Sequence, residues 1–334
     1  LDQALMTRDH GEQQWILVAP RDTQFPALER IMCRNVGRLS GHAWEQLELP
    51  HYTREGLLLS FCSTGPLFKK RQMITVHDAS VYRVPEAFSW RFRLWYRLVI
   101  RSVVARAPIT LAVSDFTAKE IVRWFGGDRG RISVTTEGWQ HLSRYRADDS
   151  ILAQHGLESG CYVLAVSSPT PNKNFSLVLR AARELSEAGL KFAIAGAADP
   201  KVFAAASSLA GSEVKQLGYV SDAQLKALYQ HASCFVFPSR YEGFGIPPLE
   251  AMSCGCPVIA ARIDAVREVC GDAALYFDPS DHRALVGLIR TIANSDAERT
   301  RMREVGLRRA QEFSWRVAAE RSLTAVHGVC TAEL

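Results

Sequence analysis

No run of about 18 apolar residues, the length a membrane-spanning helix requires, occurs in this chain. The first residues, Leu1 to Arg8, lack a basic head followed by an apolar stretch, so no signal peptide is expected. The chain opens on Leu rather than Met, which points to sequence upstream of it. Glycine (22) and proline (14) are too few among 334 residues for a collagen-like or low-complexity polymer. No G-x-G-x-x-G follows any expected strand, which disfavours an NAD-dependent dehydrogenase. No C-x-x-C pair occurs either. Cys254 and Cys256 form a C-x-C with no second pair, so no zinc site is expected. The eight cysteines read as reduced, mostly buried thiols of a cytosolic protein.

What is present is ordinary for globular protein. Apolar residues are 47% and charged residues 22%, so intrinsic disorder is excluded as the main state. The length suits two domains. Forty basic against 35 acidic residues leave a net +5, compatible with an anionic substrate or an anionic membrane surface.

Short Val- and Ile-rich runs alternate with longer helical patterns. Strands are expected at 15–19, 57–61, 73–77, 109–113 and 131–135, and again at 162–166, 191–195, 233–237, 257–260 and 274–277. Near-continuous apolar strands suit a parallel sheet covered on both faces. Helices are expected at 116–125, 174–188, 222–230 and 281–294. The class is therefore α/β with two Rossmann-like units, because the alternation restarts near residue 160 after a polar stretch. The expected division is an N-terminal domain over 1–140, a linker over 141–159 and a C-terminal domain over 160–313. Two such units facing a central cleft would put a ligand between them.

The densest chemistry lies in SCFVFPSRYEGFGIPPLEAMSCGCPVIAA, residues 233–261. A buried strand ends at Pro238, and a loop with Glu242, Gly243, Phe244 and Gly245 follows. Glycines let bare backbone approach a ligand. Pro247 and Pro248 suit a helix start, whose N-terminus would favour a phosphate. Glu250 is expected in that first turn. Carboxylates beside an anion site more plausibly accept hydrogen bonds from sugar hydroxyls than touch phosphate. Each glutamate also has an ordinary reading, Glu250 as a helix-dipole partner and Glu242 as a solvated loop residue.

The run PSRYEGFGIPPLEAMSCGCPVIA resembles the signature of the retaining glycosyltransferases of family 4, which have the GT-B fold. The resemblance implies that Glu242 binds donor-sugar hydroxyls and that Glu250 binds the ribose of the nucleotide. GYVSDAQLKALYQHA is similar to the family's strand and helix beside the base, around Gly218 to Val220. AVSSPTPNKNFSLVLRA resembles its diphosphate-holding strand, loop and helix, with Lys173 at the family's lysine. A positioned ammonium stabilises the charge that develops on a leaving diphosphate. Ser168 stands where many members carry an arginine, so a two-cation clamp is not implied. MITVHDASVYRVPEAF resembles the family strand that ends in His-Asp, which makes His77 the histidine meeting the donor sugar. Asp78 either orients His77 or caps the next segment, and Ser114 or Asp115 caps a helix.

EFSWRVAAERSLTAVHGV resembles the family's closing helix, 314–328, which crosses back to the N-terminal, acceptor-side domain. The resemblance departs most at the beginning. Residues 1–10 read as a helix tail, and the family's first strand and Gly-rich loop are not seen before the strand at 15–19.

The implied activity is hexosyl transfer, mannosyl first, from a nucleotide-diphosphate sugar with retention at the anomeric carbon. The acceptor would be a glycan or lipid-linked oligosaccharide in surface polysaccharide assembly. No Asp-x-Asp occurs, so no metal and no cofactor beyond the donor are indicated. Residues 90–107 interleave Arg91, Arg93, Arg97, Arg101 and Arg106 with Phe92, Trp95, Tyr96 and Leu98. They read either as a membrane-surface contact or as an ordinary helix with a solvated basic face. The expected location is cytoplasmic, peripheral on the inner face of the membrane under the first reading. Nucleic acid is not expected as a partner, because no recognised module accompanies the charges. The competing readings are a non-catalytic scaffold of the same fold and a nucleotide-sugar epimerase.

Overall fold

The computed structural model describes residues 1–6, 13–166, 170–185, 189–196 and 214–332. They fall into two compact units. One comprises Leu1–Thr136 with Trp315–Leu334, and the other Glu137–Ser314. Residues 141–159, expected as a linker, lie inside the second unit and carry a 3-10 turn at Leu142–Arg144 and a helix at Ser150–His155.

In the first unit, strands β1 (Trp15–Ala19) and β2 (Ile31–Asn35) pair in parallel. Asp2, opening the short Asp2–Met6 helix, accepts from the backbone N–H groups of Glu29, Arg30 and Ile31 and so ties that helix to the start of β2. A second sheet runs β3 (Leu58–Ser60), β4 (Gln72–Val76), β5 (Thr110–Ala112) and β6 (Ile132–Val134), all parallel. The Trp90–Val104 helix begins where the Ser89 side chain accepts from Phe92 N–H. It buries Val99, Ile100, Val103 and Val104 against Ile74 and Val76 of β4. The expected helix at 116–125 divides in two. An α-helix covers Asp115–Glu120, capped by the Ser114 hydroxyl, and a π-turn follows at Ile121–Phe125. The Trp315–Ala332 helix packs Ala325, Val326 and Val329 on Met73 and Leu111, and Ala319 and Leu323 on Ala4 and Leu5.

Among the described residues the second unit has one parallel sheet of six strands. These are β7 (Tyr162–Val166), β8 (Lys191–Ala195), β9 (Val214–Gly218), β10 (Cys234–Phe237), β11 (Val258–Ala261) and β12 (Ala274–Phe277). Their order across the sheet is β12-β11-β10-β7-β8-β9. The chain moves one way from β7 and the other way from β10, so the order reverses between these neighbours. The crevice at the carboxyl ends of two such strands is where doubly wound sheets take their ligands. The four central strands are apolar because helices cover both faces. Phe175–Leu185, for example, buries Phe175, Val178, Ala181, Ala182 and Leu185 against them. β9, at the edge, has the sequence VKQLG and is only half-covered.

Candidate active site

Beyond the carboxyl ends of β7 and β10, residues 170–174 and 238–242 are held in place. After β7 a 3-10 turn, Pro171–Lys173, ends at Asn174 with φ +55°. Asparagine tolerates the left-handed region better than other non-glycine residues. Here it is also held from outside, because its buried amide donates to the carbonyls of Pro238 at 3.2 Å and Pro279 at 2.9 Å. After β10 the loop is laced to that turn. Arg240 N–H donates to the Asn172 carbonyl at 2.8 Å, and the Asn172 amide donates to the Tyr241 carbonyl at 3.3 Å.

The lacing brings Lys173 and Glu242 together. Lys173 Nζ donates to Glu242 Oε1 at 2.6 Å, and Ser239 Oγ donates to the same oxygen at 2.5 Å. Ser239 is fully buried, while the two charged side chains keep about a fifth of their surface exposed (21% and 17%). The ring of Phe237 lies 5.9 Å from the ammonium and adds a cation–π contact. The residue expected to meet diphosphate and the residue expected to meet sugar hydroxyls thus neutralise each other.

Glu250 belongs to a second group. It is 7% exposed and both of its oxygens are engaged. Oε1 is 2.7 Å from His141 Nε2, and Oε2 accepts from Tyr229 OH at 3.1 Å. Burial, reinforced by the neighbouring carboxylate of Glu250, pushes the Tyr229 hydroxyl well above its ordinary pKa, so it remains a donor. Each carboxylate oxygen carries two lone pairs, so Glu250 can still accept from a ligand hydroxyl. His141, Tyr229 and Ser239 were not singled out in the sequence. His141 lies 109 residues from its partner and carries no local signal. It is set in place by its neighbours, since Trp139 Nε1 donates to the Ala310 carbonyl and the Gln140 amide to the Phe313 carbonyl.

Two expectations about the helix after the glycine loop need correction. The helix runs Ile246–Ser253, so Glu250 lies beyond the first turn rather than within it. Its helix-dipole reading falls with that placement, because the dipole acts within the first turn. Pro247 and Pro248 follow directly on Ile246, so Ile246 alone supplies an N–H among the first three helical positions. The dipole remains, but an anion at this helix end would find one N–H among those positions rather than three. Gly245, at φ +127°, adopts a conformation that only glycine takes without strain, and a Cβ there would sit 3.4 Å from Val266. Phe244 is 4% exposed and packs edge-on against Phe313 at 5.8 Å, so only its backbone can meet a ligand. Val220 is half-buried, between Gly218 (φ +65°) and Ser221, which caps the Asp222–His231 helix in a reciprocal capping box with Gln224. Ser168 lies outside the described residues.

His77 stands at the carboxyl end of β4 in the first unit. Its Nε2 is 2.7 Å from the Phe61 carbonyl, which requires the proton on that nitrogen. Its backbone N–H donates to Ser63 Oγ at 3.2 Å, and Thr117 Oγ1 donates to its carbonyl. Asp78 accepts from Ser80 N–H at 2.6 Å and so starts the Ser80–Arg83 turn. Among the described residues no group of three or more His, Cys, Asp and Glu side chains is placed to hold a metal ion.

The pattern of the family described as glycosyl transferases group 1 matches residues 148–309. O-antigen chain mannosyltransferase B of Escherichia coli is 32% identical over 267 residues, covering 77% of this chain and 70% of that protein. O-antigen chain mannosyltransferase RfbU of Salmonella typhimurium is 30% identical over 233 residues, covering 69% of this chain and 62% of that protein. Among solved structures, WaaG, a glycosyltransferase involved in lipopolysaccharide biosynthesis, superposes with a TM-score of 0.69 at 16% identity, over 90% of this chain and 88% of WaaG. Sucrose-phosphate synthase from Thermosynechococcus elongatus gives 0.66 at 22% identity, over 78% and 68%. These two are distant enough to speak for the fold alone, which is GT-B. With a relative this similar over more than two thirds of its length, the chain belongs to the glycosyl transferases group 1 family.

Proposed function

We propose that the protein moves a hexosyl unit, mannosyl in the first instance, from a nucleotide-diphosphate sugar to a glycan or lipid-linked acceptor in surface polysaccharide assembly. The relatives named as O-antigen mannosyltransferases support the sugar and the setting. The observation that carries the chemistry is the Lys173–Glu242 pair beside the β7–β10 reversal. Lys173 leaves Glu242 for the diphosphate, or is shared with it, as charge develops on the departing phosphate. Glu242 is then released to accept hydrogen bonds from the sugar. Glu250, held by His141 and Tyr229, takes the ribose. Val220 and the backbone of Gly243, Phe244 and Gly245 line the donor. His77 meets the donor sugar. Retention and independence of metal belong to this reading, with Lys173 supplying the positive charge a cation would otherwise provide.

Membrane contact belongs to it as well. No helix among the described residues is long and apolar enough to cross a membrane. The Trp90–Val104 helix nonetheless leaves Trp90, Leu94 and Leu98 exposed at four-residue spacing, with Arg91 stacked on Trp90. Apolar anchors beside arginines suit an anionic lipid surface. Arg97 has another task, since it donates to the Val81 carbonyl and lies over the Tyr82 ring.

The test is a thermal-shift panel of nucleotide-diphosphate sugars, GDP-mannose and UDP-glucose among them. A donor that binds only the folded state raises the melting temperature. Lys173→Ala is expected to cut transfer about 10²–10³-fold, as removal of a preorganised charge stabiliser does. Full transfer by that variant would refute the role of Lys173. Co-sedimentation with phosphatidylglycerol vesicles, lost in Trp90→Ala/Arg91→Glu, tests the membrane contact.

A further inference from the structure

His141 stands beside Glu250 because of the segment that carries it, and that segment is held at both ends. Upstream, Trp139 Nε1 donates to the Ala310 carbonyl at 2.8 Å and the Gln140 amide to the Phe313 carbonyl at 3.0 Å. Downstream, the 3-10 turn Leu142–Arg144 begins at His141 and ends at Tyr145. There Lys226 Nζ donates to the Tyr145 carbonyl at 2.8 Å and to the Leu142 carbonyl at 3.3 Å. The turn has little packing of its own, since Leu142 is its one buried residue. The His141 side chain is a third exposed (32%), so burial alone does not fix it either.

Lys226 lies half-buried on the Asp222–His231 helix, and Tyr229 follows it three residues on. Residues three apart share a helix face. The face that delivers the Tyr229 hydroxyl to Glu250 Oε2 therefore also holds the turn that delivers His141 to Glu250 Oε1. Further contacts keep helix and segment in register. Asp148 N–H donates to the Ala223 carbonyl at 3.0 Å, and Asp149 Oδ1 lies 3.2 Å from His231 Nε2. An ammonium suits this place, because its compact charge and three rotatable donors face the negative ends of two carbonyl dipoles. With two of its three protons directed at backbone carbonyls, Lys226 is engaged by the protein rather than offered to a ligand.

We infer that Lys226 is a positioning residue of the nucleotide site: it fixes the turn that sets the His141 imidazole against Glu250, and it touches no part of the donor. The inference rests on the proposed role of Glu250 in taking the ribose and deepens it. One carboxylate is then oriented from two sides by a single helix, directly through Tyr229 and indirectly through Lys226.

The experiment is a double-mutant cycle read in nucleotide affinity, with GDP and UDP as calorimetric probes. Lys226→Met should weaken binding about five- to tenfold in the wild-type background. In His141→Ala the same change should cost less than about twofold, because the turn then has no imidazole to place. Lys226→Arg keeps the charge and the donors and should stay within about threefold of wild type. Lys226→Gln, the milder truncation, should lose about threefold and serves if Lys226→Met fails to fold. Lys191→Met is the control, since Lys191 Nζ also donates to a backbone carbonyl, that of Gly156 at 2.8 Å, and its loss should leave affinity unchanged. A second measurement needs no nucleotide. The His141 Cε1–H resonance, assigned by its absence from His141→Ala, should move in Lys226→Met and stay in place in Lys191→Met. An equal loss of affinity in both backgrounds overturns the inference, because a lysine that meets the nucleotide itself would give it. So does a stationary resonance in Lys226→Met. If the probes bind wild type and Lys226→Met alike, the positioning role is wrong and the transferase reading stands. If neither probe binds wild type, the nucleotide reading fails on its own measurement, and the resonance alone decides whether Lys226 places His141.

Discussion

The Lys173–Glu242 contact allows a double-mutant cycle whose outcome the geometry fixes in sign. The charges lie 2.6 Å apart with roughly four-fifths of each side chain covered. Truncating one partner of a fully buried pair costs about 3–5 kcal/mol, mostly because the other charge is stranded. Here residual solvent screens both groups, which lowers the expectation to about 2–3 kcal/mol for Lys173→Met. Ser239 still donates to the orphaned Glu242, so the loss stays at the lower end. Glu242→Gln keeps a carbonyl that can accept from Lys173 and should cost about 1–2 kcal/mol. In the double variant neither charge is stranded, so the combined loss should fall short of the sum by about 1–2 kcal/mol. Urea unfolding monitored by circular dichroism measures all four corners. Additivity within about 0.5 kcal/mol would refute the claim that each side chain holds the other in place, and with it the switch by which donor binding frees Glu242.

Other outcomes follow from the same coordinates. His141→Ala removes one of the two groups that fix Glu250 and should weaken nucleotide binding about tenfold by calorimetry, with Tyr229→Phe behaving similarly. Asn174→Ala loses two buried hydrogen bonds and leaves a β-carbon at φ +55°, so a loss of about 2–4 kcal/mol is expected in urea. Asn174→Gly should lose about 1 kcal/mol less, because it relieves the backbone. Burial raises the thiols of Cys234 and Cys270 to about 12 and that of Cys254 to about 11. The unfolded chain would ionise them near the ordinary thiol value of 9.0, so stability is unaffected below that pH and falls as pH rises above it. Alkylation in mild base should accordingly mark Cys62 and Cys161 first and reach these three only on unfolding.

The sequence was most legible where burial is two-sided. Strands such as Tyr162–Val166 and Cys234–Phe237 have few polar residues, and their ends are sharp. Ile31–Asn35 (IMCRN) and Val214–Gly218 (VKQLG) are partly exposed and carry charges, so neither shows a continuous apolar run, and only the family likeness around Gly218 points to the second. The π-turn after Glu120 and the start of the helix at Ile246 depend on local hydrogen bonding that side-chain periodicity does not report. At the site, Lys173, Glu242 and Glu250 stood out because they sit in dense local motifs. His141, Tyr229 and Ser239 did not, because their meaning lies in contacts made after folding. A histidine becomes part of the carboxylate group only once β7 and β10 have brought residues 141, 229 and 250 to one edge.

The Trp315–Ala332 helix has a consequence for synthesis. Its Leu323, Ala325, Val326 and Val329 fill the cores of a unit whose other residues end at Thr136. On the ribosome, residues 1–136 therefore wait, with Met73 and Leu111 uncovered, until the whole of 137–314 has been translated. The second unit, contiguous in the chain, can close its sheet while the first is still open, so the part made first is finished last. A nascent chain stopped at Ser314 should expose apolar surface from its beginning rather than from its end.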